Sequence, residues 1–343
     1  MTTDFHNRVI DNDKFRDFVL PMEELKLIRD AMIFVHKSGL LLFSEGYYHP
    51  PGKLICNIVY IPDPEGEKEI FGLPYRSIIK TEEDGEEAWI NYEAQLEIYR
   101  ELAPESQVDK PPFARFKCQF DLADLIGFVD HRRSLKKARG LSPQIDDAIR
   151  NVAGMLKIHP DSIGVTGSLA LGNLKTAHDY DLVFYGTVSE GWKIVNQIYR
   201  IVEDPKRQVF EMGMLWAIRF YDDWGNMICP FFSYTDPGEI PLKDFSMEVE
   251  QSGIEITGTV VNDRHTFYMP TVLRLAEAGV PGREEITDLG LILYHGGLRG
   301  EYQVGDRVRA RGDLVRVTTP EESYPALLST NLTDSRKAEG GGE

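Results

Sequence analysis

Along most of the chain the apolar residues come in short blocks or in alternation, punctuated by Gly, Pro and Asp; helical spacing is confined to a few segments. The pattern predicts more strand than helix. Residues 1–30 read as a lead-in with a short helix around Pro21–Asp30. Residues 31–120 read as β-rich. AMIFVHK and LLLFSEG flank Ser38-Gly39, a hairpin turn. KLICNIVYIP follows the HPPG turn at His49–Gly52, and EIFGLPYRSIIK is a further strand pair. TEEDGEE, Thr81–Glu87, reads as a solvated acidic loop between strands, and Pro111-Pro112 punctuates the end of the region.

Residues 121–139 read as a helix that bridges to a second region. Ser142-Pro143 opens another helix, with Ser as N-cap and Pro in the first turn. Its Ile145, Ile149, Val152 and Leu156 keep the period of a buried face, and His159-Pro160-Asp161 ends it. Strand IGVTGS, a turn and strand DLVFYG follow. Ser189 is the expected cap of the next helix, with Ile194, Val195, Ile198, Ile201 and Val202 as its apolar stripe. LWAIRFY and MICPFFSY flank DDWGN, a second hairpin. From about Glu250 the strands are short and closely punctuated, which suggests a small closed or partly closed barrel of SH3 or OB type. The expected layout is a β-rich domain at 1–120, an α/β (α+β) core at 121–248, a small β-barrel at 249–330 and a disordered polar tail at 331–343.

A chain of 343 residues has room for two or three domains. No stretch approaches the roughly 20 apolar residues of a membrane span, and the polar N-terminus lacks the apolar core of a signal peptide. Cys56, Cys118 and Cys229 are far apart and odd in number, without CxxC spacing. That argues for reduced thiols in a cytoplasmic protein, against a disulfide framework or a zinc site. Cys229 reads as a small buried residue. The net charge of −17 means that contact with long nucleic acids would need a local basic patch. Arg307, Arg309 and Arg311 alternate along one strand and share a face, as such a patch or as plain exposed charge. HRRSLKKAR, His131–Arg139, brings cations toward a helix C-terminus, which the helix dipole favours; contact with a triphosphate or an RNA end is the functional alternative. His49 and His295 are isolated turn histidines, without a ligand role.

The candidate chemistry lies in GVTGSLALGNLKTAHDYD, Gly164–Asp181. Alternation along a strand puts Asp179 and Asp181 on one face and Tyr180 on the other. Two adjacent carboxylates repel unless a cation neutralises them, and hard oxygen ligands suit Mg²⁺, which completes its shell with waters and phosphates. Gly167 lets the backbone approach a phosphate closely, and the Ser168 hydroxyl can bond a phosphate oxygen.

GSLALG followed by the DYDL strand resembles the nucleotidyltransferase superfamily of the DNA polymerase beta type, over roughly residues 143–235. The GVTGS and DLVFYG flanks, with GYYHPPG and YQVGDRVRARGDLVRV, are similar to a little-characterised branch of predicted nucleotidyltransferases known chiefly from archaea. The resemblance implies a mixed sheet with helices, Gly167 and Ser168 holding an NTP, and Mg²⁺ on Asp179 and Asp181. It implies transfer of an NMP, from ATP or another NTP, to an acceptor hydroxyl on a small molecule, a protein or an RNA end, with release of pyrophosphate. Two departures stand out: His178 where many members have Ser, and Leu171 where many have Arg or Lys. The second removes a phosphate contact that Lys175 could replace. The superfamily's third carboxylate belongs on MICPFFSY, which carries Met227, Ile228 and Cys229 instead. Asp223, in the hairpin before it, is the preferred substitute, although Asp222-Asp223 also serve as turn residues. Without a third acid the alternative is a nucleotide-binding regulatory module that has lost transfer. A protein binding nucleic-acid ends through the arginine strand is the other.

Overall fold

The computed structural model describes residues 12–338 apart from 84–85, 90–91, 175–178 and 212, with the backbone alone at 80–83, 86–89 and 92. The described residues are mixed α/β and are carried by three sheets and one separate hairpin.

The first sheet is antiparallel. It comprises β1 (Val19–Leu20), β2 (Ile33–His36), β3 (Leu41–Ser44), β4 (Lys53–Pro62), β5 (Lys68–Ile70), β6 (Leu73–Ser77), β9 (Cys118–Asp121) and β10 (Leu125–Val129). Its order is β1-β10-β2-β3-β4-β6-β5, with β9 also on β4. The turn at Ser38-Gly39 is where the alternation places it, with Gly39 at φ 94°. Helix α1 (Asp13–Phe18) precedes this sheet and α2 (Tyr92–Leu102) crosses to it. Helix α2 is absent from the sequence reading, although its Leu96, Tyr99 and Leu102 keep helical spacing and pack on the core. Three expectations are corrected. Pro21–Asp30 holds only one 3₁₀ turn, Met22–Glu24. The acidic segment Thr81–Glu87 falls in hairpin β7 (Lys80–Glu83) and β8 (Glu86–Trp89) rather than in a plain loop. Residues 121–129 are not α-helical: Leu122–Asp124 is a 3₁₀ turn and Leu125–Val129 is strand β10, paired to both β1 and β2. A short, largely buried run such as LIGFV does not distinguish strand from helix by periodicity. The helix begins after Asp130, whose carboxylate accepts from Arg133 N at 2.8 Å.

The central sheet contains β11 (Ile163–Val165), β12 (Asp179–Gly186), β13 (Gln208–Glu211), β14 (Met214–Tyr221) and β15 (Met227–Tyr234). Its order is β11-β12-β15-β14-β13, with only β12 and β15 parallel. Helices α3 (His131–Leu141), α4 (Pro143–Leu156), α5 (Gly167–Ala170) and α6 (Val188–Ile201) accompany it. Helix α4 starts at the Ser142 cap, and Ile145, Ile149, Val152 and Leu156 are buried. Helix α6 is capped by Thr187 in a reciprocal bond with Glu190, while Ser189 lies in the first turn. The T-x-x-E spacing is the stronger signal. The apolar faces of α4 and α6 join Leu182, Phe184, Ile228 and Phe232 in one core. The opposite face of the sheet, which carries Asp179, Asp181 and Cys229, is thereby turned away from these helices.

The third sheet has β16 (Ser246–His265), β17 (Thr271–Gly279), β18 (Leu289–Leu293), β19 (Arg307–Thr318), β20 (Ser323–Ser329) and β21 (Ser335–Lys337). The order is β16-β17-β18-β20-β19-β21, and a further β16–β19 pairing brings five of these strands round into a ring around Leu273, Leu291, Val308 and Leu327. Strands β18 and β20 are its parallel pair. The expected disordered tail at 331–343 needs correction. Leu332–Asp334 is a 3₁₀ turn, and β21 adds to β19 from Val308↔Lys337 to Ala310↔Ser335. Strand β20 leaves this half of β19 bare, and β21 covers the exposed edge. Residues 339–343 lie outside the described ones. No helix among the described residues is long and apolar enough to cross a membrane.

Burial sets the pH response of this fold. It pushes His49, His131 and His265 down to about 4 and His295 to about 3. Between pH 6.5 and 4 the unfolded chain therefore takes up protons that the folded chain refuses, and stability falls as the pH drops. Asp30, raised by burial to about 6, works in the opposite sense between about 6 and 3.8. Five lowered histidines, His36 included, against three raised carboxylates, with Glu301 and Asp334 beside Asp30, predict a melting temperature that declines from pH 7 to 4.5. Thermal scans across that range check it, and a flat or rising midpoint contradicts it.

Candidate functional site

Strand β11 ends at Val165, and Thr166 N donates to the Asp181 carbonyl at 2.9 Å, so the ladder with β12 runs up to the turn. Gly167 then takes φ 64°, and a Cβ there would lie 3.0 Å from Asp181 Cγ and closer still to Oδ2. Only glycine accepts both the left-handed backbone and a carboxylate seated against it. The Ser168 carbonyl accepts from Leu171 N and Asn173 N at 3.1 and 3.2 Å, which closes the turn. Gly172, at φ 83°, lets the chain pass against the Phe18 ring. Leu171 is buried in the core, whereas Lys175 and His178 lie outside the described residues.

Asp179 and Asp181 share one face of β12, with Tyr180 buried on the other. In the parallel ladder Asp179 pairs with Met227 and Asp181 with Cys229. The third side chain brought to the pair is the Cys229 thiol. It donates to Asp179 Oδ1 at 3.1 Å, and the ligand atoms of Asp179, Asp181 and Cys229 lie within 4.8 Å of one another. Asp223 does not take that place: its Oδ1 is 2.5 Å from Arg207 Nη2 at the hairpin surface. Asp222 is buried and organises the turn, accepting from Trp224 N at 2.9 Å and Asn226 N at 2.8 Å. Burial pushes the Cys229 thiol well above its ordinary pKa, and the nearby Arg219 guanidinium only partly opposes this. The sulfur therefore stays protonated. Two carboxylates this close form a donor set for a hard divalent cation, and Mg²⁺ fits them with waters completing the shell. The thiol is not a ligand that Mg²⁺ favours.

Beyond the pair, the same face of the sheet meets residues that the motif does not include. Arg219, on β14, is held by the Glu211 carboxylate and stacks 3.5 Å from the Trp216 ring. Residues 29–31 form a corner that meets β3, β15 and the loop holding Arg299. Arg29 Nη1 donates to Ser233 Oγ and to the Tyr234 carbonyl at 3.1 and 2.6 Å. Asp30 accepts from Gly46 N at 2.8 Å and from Arg299 Nη2 at 2.7 Å. Ala31, at φ 63°, offers its carbonyl to Thr166 Oγ1 and to the His131 ring at 2.5 and 3.0 Å. Arg299 lies 4.6 Å over Phe231, two residues beyond Cys229 on the same face. His295 caps its own turn, accepting from Gly297 N at 3.0 Å. One cation inside the apolar strand LWAIRFY was the available signal for Arg219. Nothing local marks Asp30 and Arg299 as partners across 269 residues.

Arg307, Arg309 and Arg311 do share an outward face of β19, and Arg309 reaches Glu255 at 2.5 Å. On α3, Lys137 pairs with Asp17 and Arg139 with Asp146, while Arg132 stacks 4.0 Å from the Tyr185 ring. Two clefts, of about 320 and 720 Å³, lie elsewhere, one beside Pro50, Lys53 and Asp121 and the other beside Arg100, Lys110 and Phe116. The chemistry of the carboxylate pair, and not the size of a hollow, marks the candidate site. Comparison of the chain with protein-family models, with curated proteins and with solved structures finds no match to any of them.

Proposed function

We propose that the protein is a nucleotidyltransferase that moves a nucleoside monophosphate from an NTP, ATP foremost, to an acceptor hydroxyl. The observation that carries this reading is the seat of Asp181 against the left-handed Gly167, with Asp179 beside it. The seat would hold the two carboxylates as a cation-binding pair beside a turn that a phosphate could approach. Asp179 and Asp181 would hold Mg²⁺, which when bound neutralises and orients phosphate oxygens. Gly167 and Ser168 would take the phosphate chain. The acceptor oxygen would form a bond to the α-phosphorus and lose its proton to solvent water, the bond from the α-phosphorus to the α–β bridging oxygen would break, and pyrophosphate would leave. The C-terminal ring runs first-second-third-fifth-fourth and back to the first strand, with third and fifth parallel, an order that supports an OB-like barrel. Such a barrel, with the β19 arginines, would present the acceptor.

Cys229 favours a second reading. A buried S–H in the third place cannot take the acceptor proton as a carboxylate would, so the pocket could bind nucleotide without transferring it. One experiment separates the two readings. The protein is incubated with α-labelled NTPs, Mg²⁺ and cell extract, and label and pyrophosphate are followed. Transfer is expected to require Mg²⁺ and both aspartates. Nucleotide binding without pyrophosphate release would install the second reading, and no binding at all would remove both.

A further inference from the structure

This inference rests on the nucleotide reading above and specifies how its phosphates are held. The β14–β15 ladder pairs Tyr221 with Met227 and Phe220 with Ile228, and there it stops. The next residues in the same direction are Arg219 and Cys229. Phe220 and Ile228 are fully buried toward the helices, so alternation puts Arg219 and Cys229 on the opposite face. Cys229 is the register partner of Asp181. Three neighbouring strands thus present Asp181, Cys229 and Arg219 in one lateral row, with Asp179 one step along. At about 4.8 Å between strands, a long side chain on the third strand reaches the space above the first.

The guanidinium is oriented before any ligand arrives. Its plane rests on Trp216, Glu211 holds Nη1, and the side chain is 14% exposed. Nε and Nη2 have no hydrogen-bond partner among the described residues. Among neighbouring charges it acts most strongly on the Cys229 sulfur, ahead of both aspartates. A cation between two carboxylates at one end of the row and a fixed planar fork at the other select a ligand with several anionic oxygens in line. A di- or triphosphate chain has that form, and a sugar or an amino acid does not. Leu171, where the resemblance expects a cation, is buried and offers none. We propose that Arg219 is the phosphate-binding cation of this pocket and grips the β- and γ-phosphates while Asp179 and Asp181 hold the metal.

The test is calorimetric titration with Mn²⁺ alone, then with tripolyphosphate and with ATP in the presence of Mn²⁺. Arg219→Gln is expected to weaken tripolyphosphate and ATP about ten- to hundredfold, the worth of a charge-assisted hydrogen bond, with Mn²⁺ affinity unchanged. Arg219→Lys keeps the partner of Glu211 but loses the fork, and should bind several-fold more weakly than wild type. If Arg219→Gln fails to fold, the Lys variant carries the test. Equal affinity of wild type and the folded variants for tripolyphosphate assigns Arg219 to fastening β13 to β14 and overturns the proposal. Wild type that binds neither Mn²⁺ nor tripolyphosphate overturns the nucleotide reading itself, a different and recognisable result.

Discussion

Replacing Asp179 and Asp181 together by Asn is expected to abolish Mn²⁺ binding and to lower transfer at least about a thousandfold, with the melting temperature unchanged or slightly raised. The two halves of this result have one cause. The carboxylates lie on one face of β12, one residue apart, where their like charges repel. On the proposed reading a metal ion would convert that repulsion into several kcal/mol of binding and catalysis, and each 1.36 kcal/mol of stabilisation lost from the transition state is tenfold in rate. Asn keeps the shape that seats against Gly167 and can still accept the Cys229 S–H. The fold therefore loses only the repulsion, a few tenths to about 1 kcal/mol for neighbouring like charges on a sheet. Calorimetry with Mn²⁺, a transfer assay and a thermal scan on the same preparation check it. Retained Mn²⁺ affinity, or a variant that melts well below wild type, would make the pair a structural feature of the strand.

The largest effect on stability is expected from Arg299→Ala, a loss of about 3–5 kcal/mol. Asp30 is 2% exposed, and Arg299 Nη2 sits 2.7 Å from its carboxylate. Burial raises Asp30 to about 6 even with Arg299, the main opposing influence, in place. Without the guanidinium, Asp30 either stays charged and unpaired or takes a proton, and each choice costs free energy at neutral pH. The double variant Asp30→Asn/Arg299→Met should recover most of the loss, because removing both charges also removes their desolvation. Denaturant titrations of the three variants test this. A single variant as stable as wild type would mean that water already shares the burden at this junction.

The elements that a local signal specifies were legible in the sequence. Ser142-Pro143 opens α4, Ser38-Gly39 turns the first hairpin, and Asp179 and Asp181 fall on one face because strand alternation leaves no choice. The failures have physical reasons. Leu125–Val129 was misread because a short buried run carries no period. Residues 335–337 looked like tail because their polar sequence gives no sign that half an edge of β19 stands bare. The third position beside the aspartates was legible as Met-Ile-Cys, but not that the thiol would turn toward Asp179, since register and not composition decides it. Arg219, Asp30 and Arg299 depend on which strands lie side by side, information that a linear reading does not hold.

The union of Asp30 with Arg299 also has a consequence in time. A ribosome releases Asp30 and Phe231 long before Arg299, so a nascent chain owns the carboxylate and the ring while the guanidinium that contacts both does not yet exist. Distant pairings of this sort form late and slowly. This junction therefore closes last, and a chain cut short before Arg299 would leave Asp30 without its counter-charge.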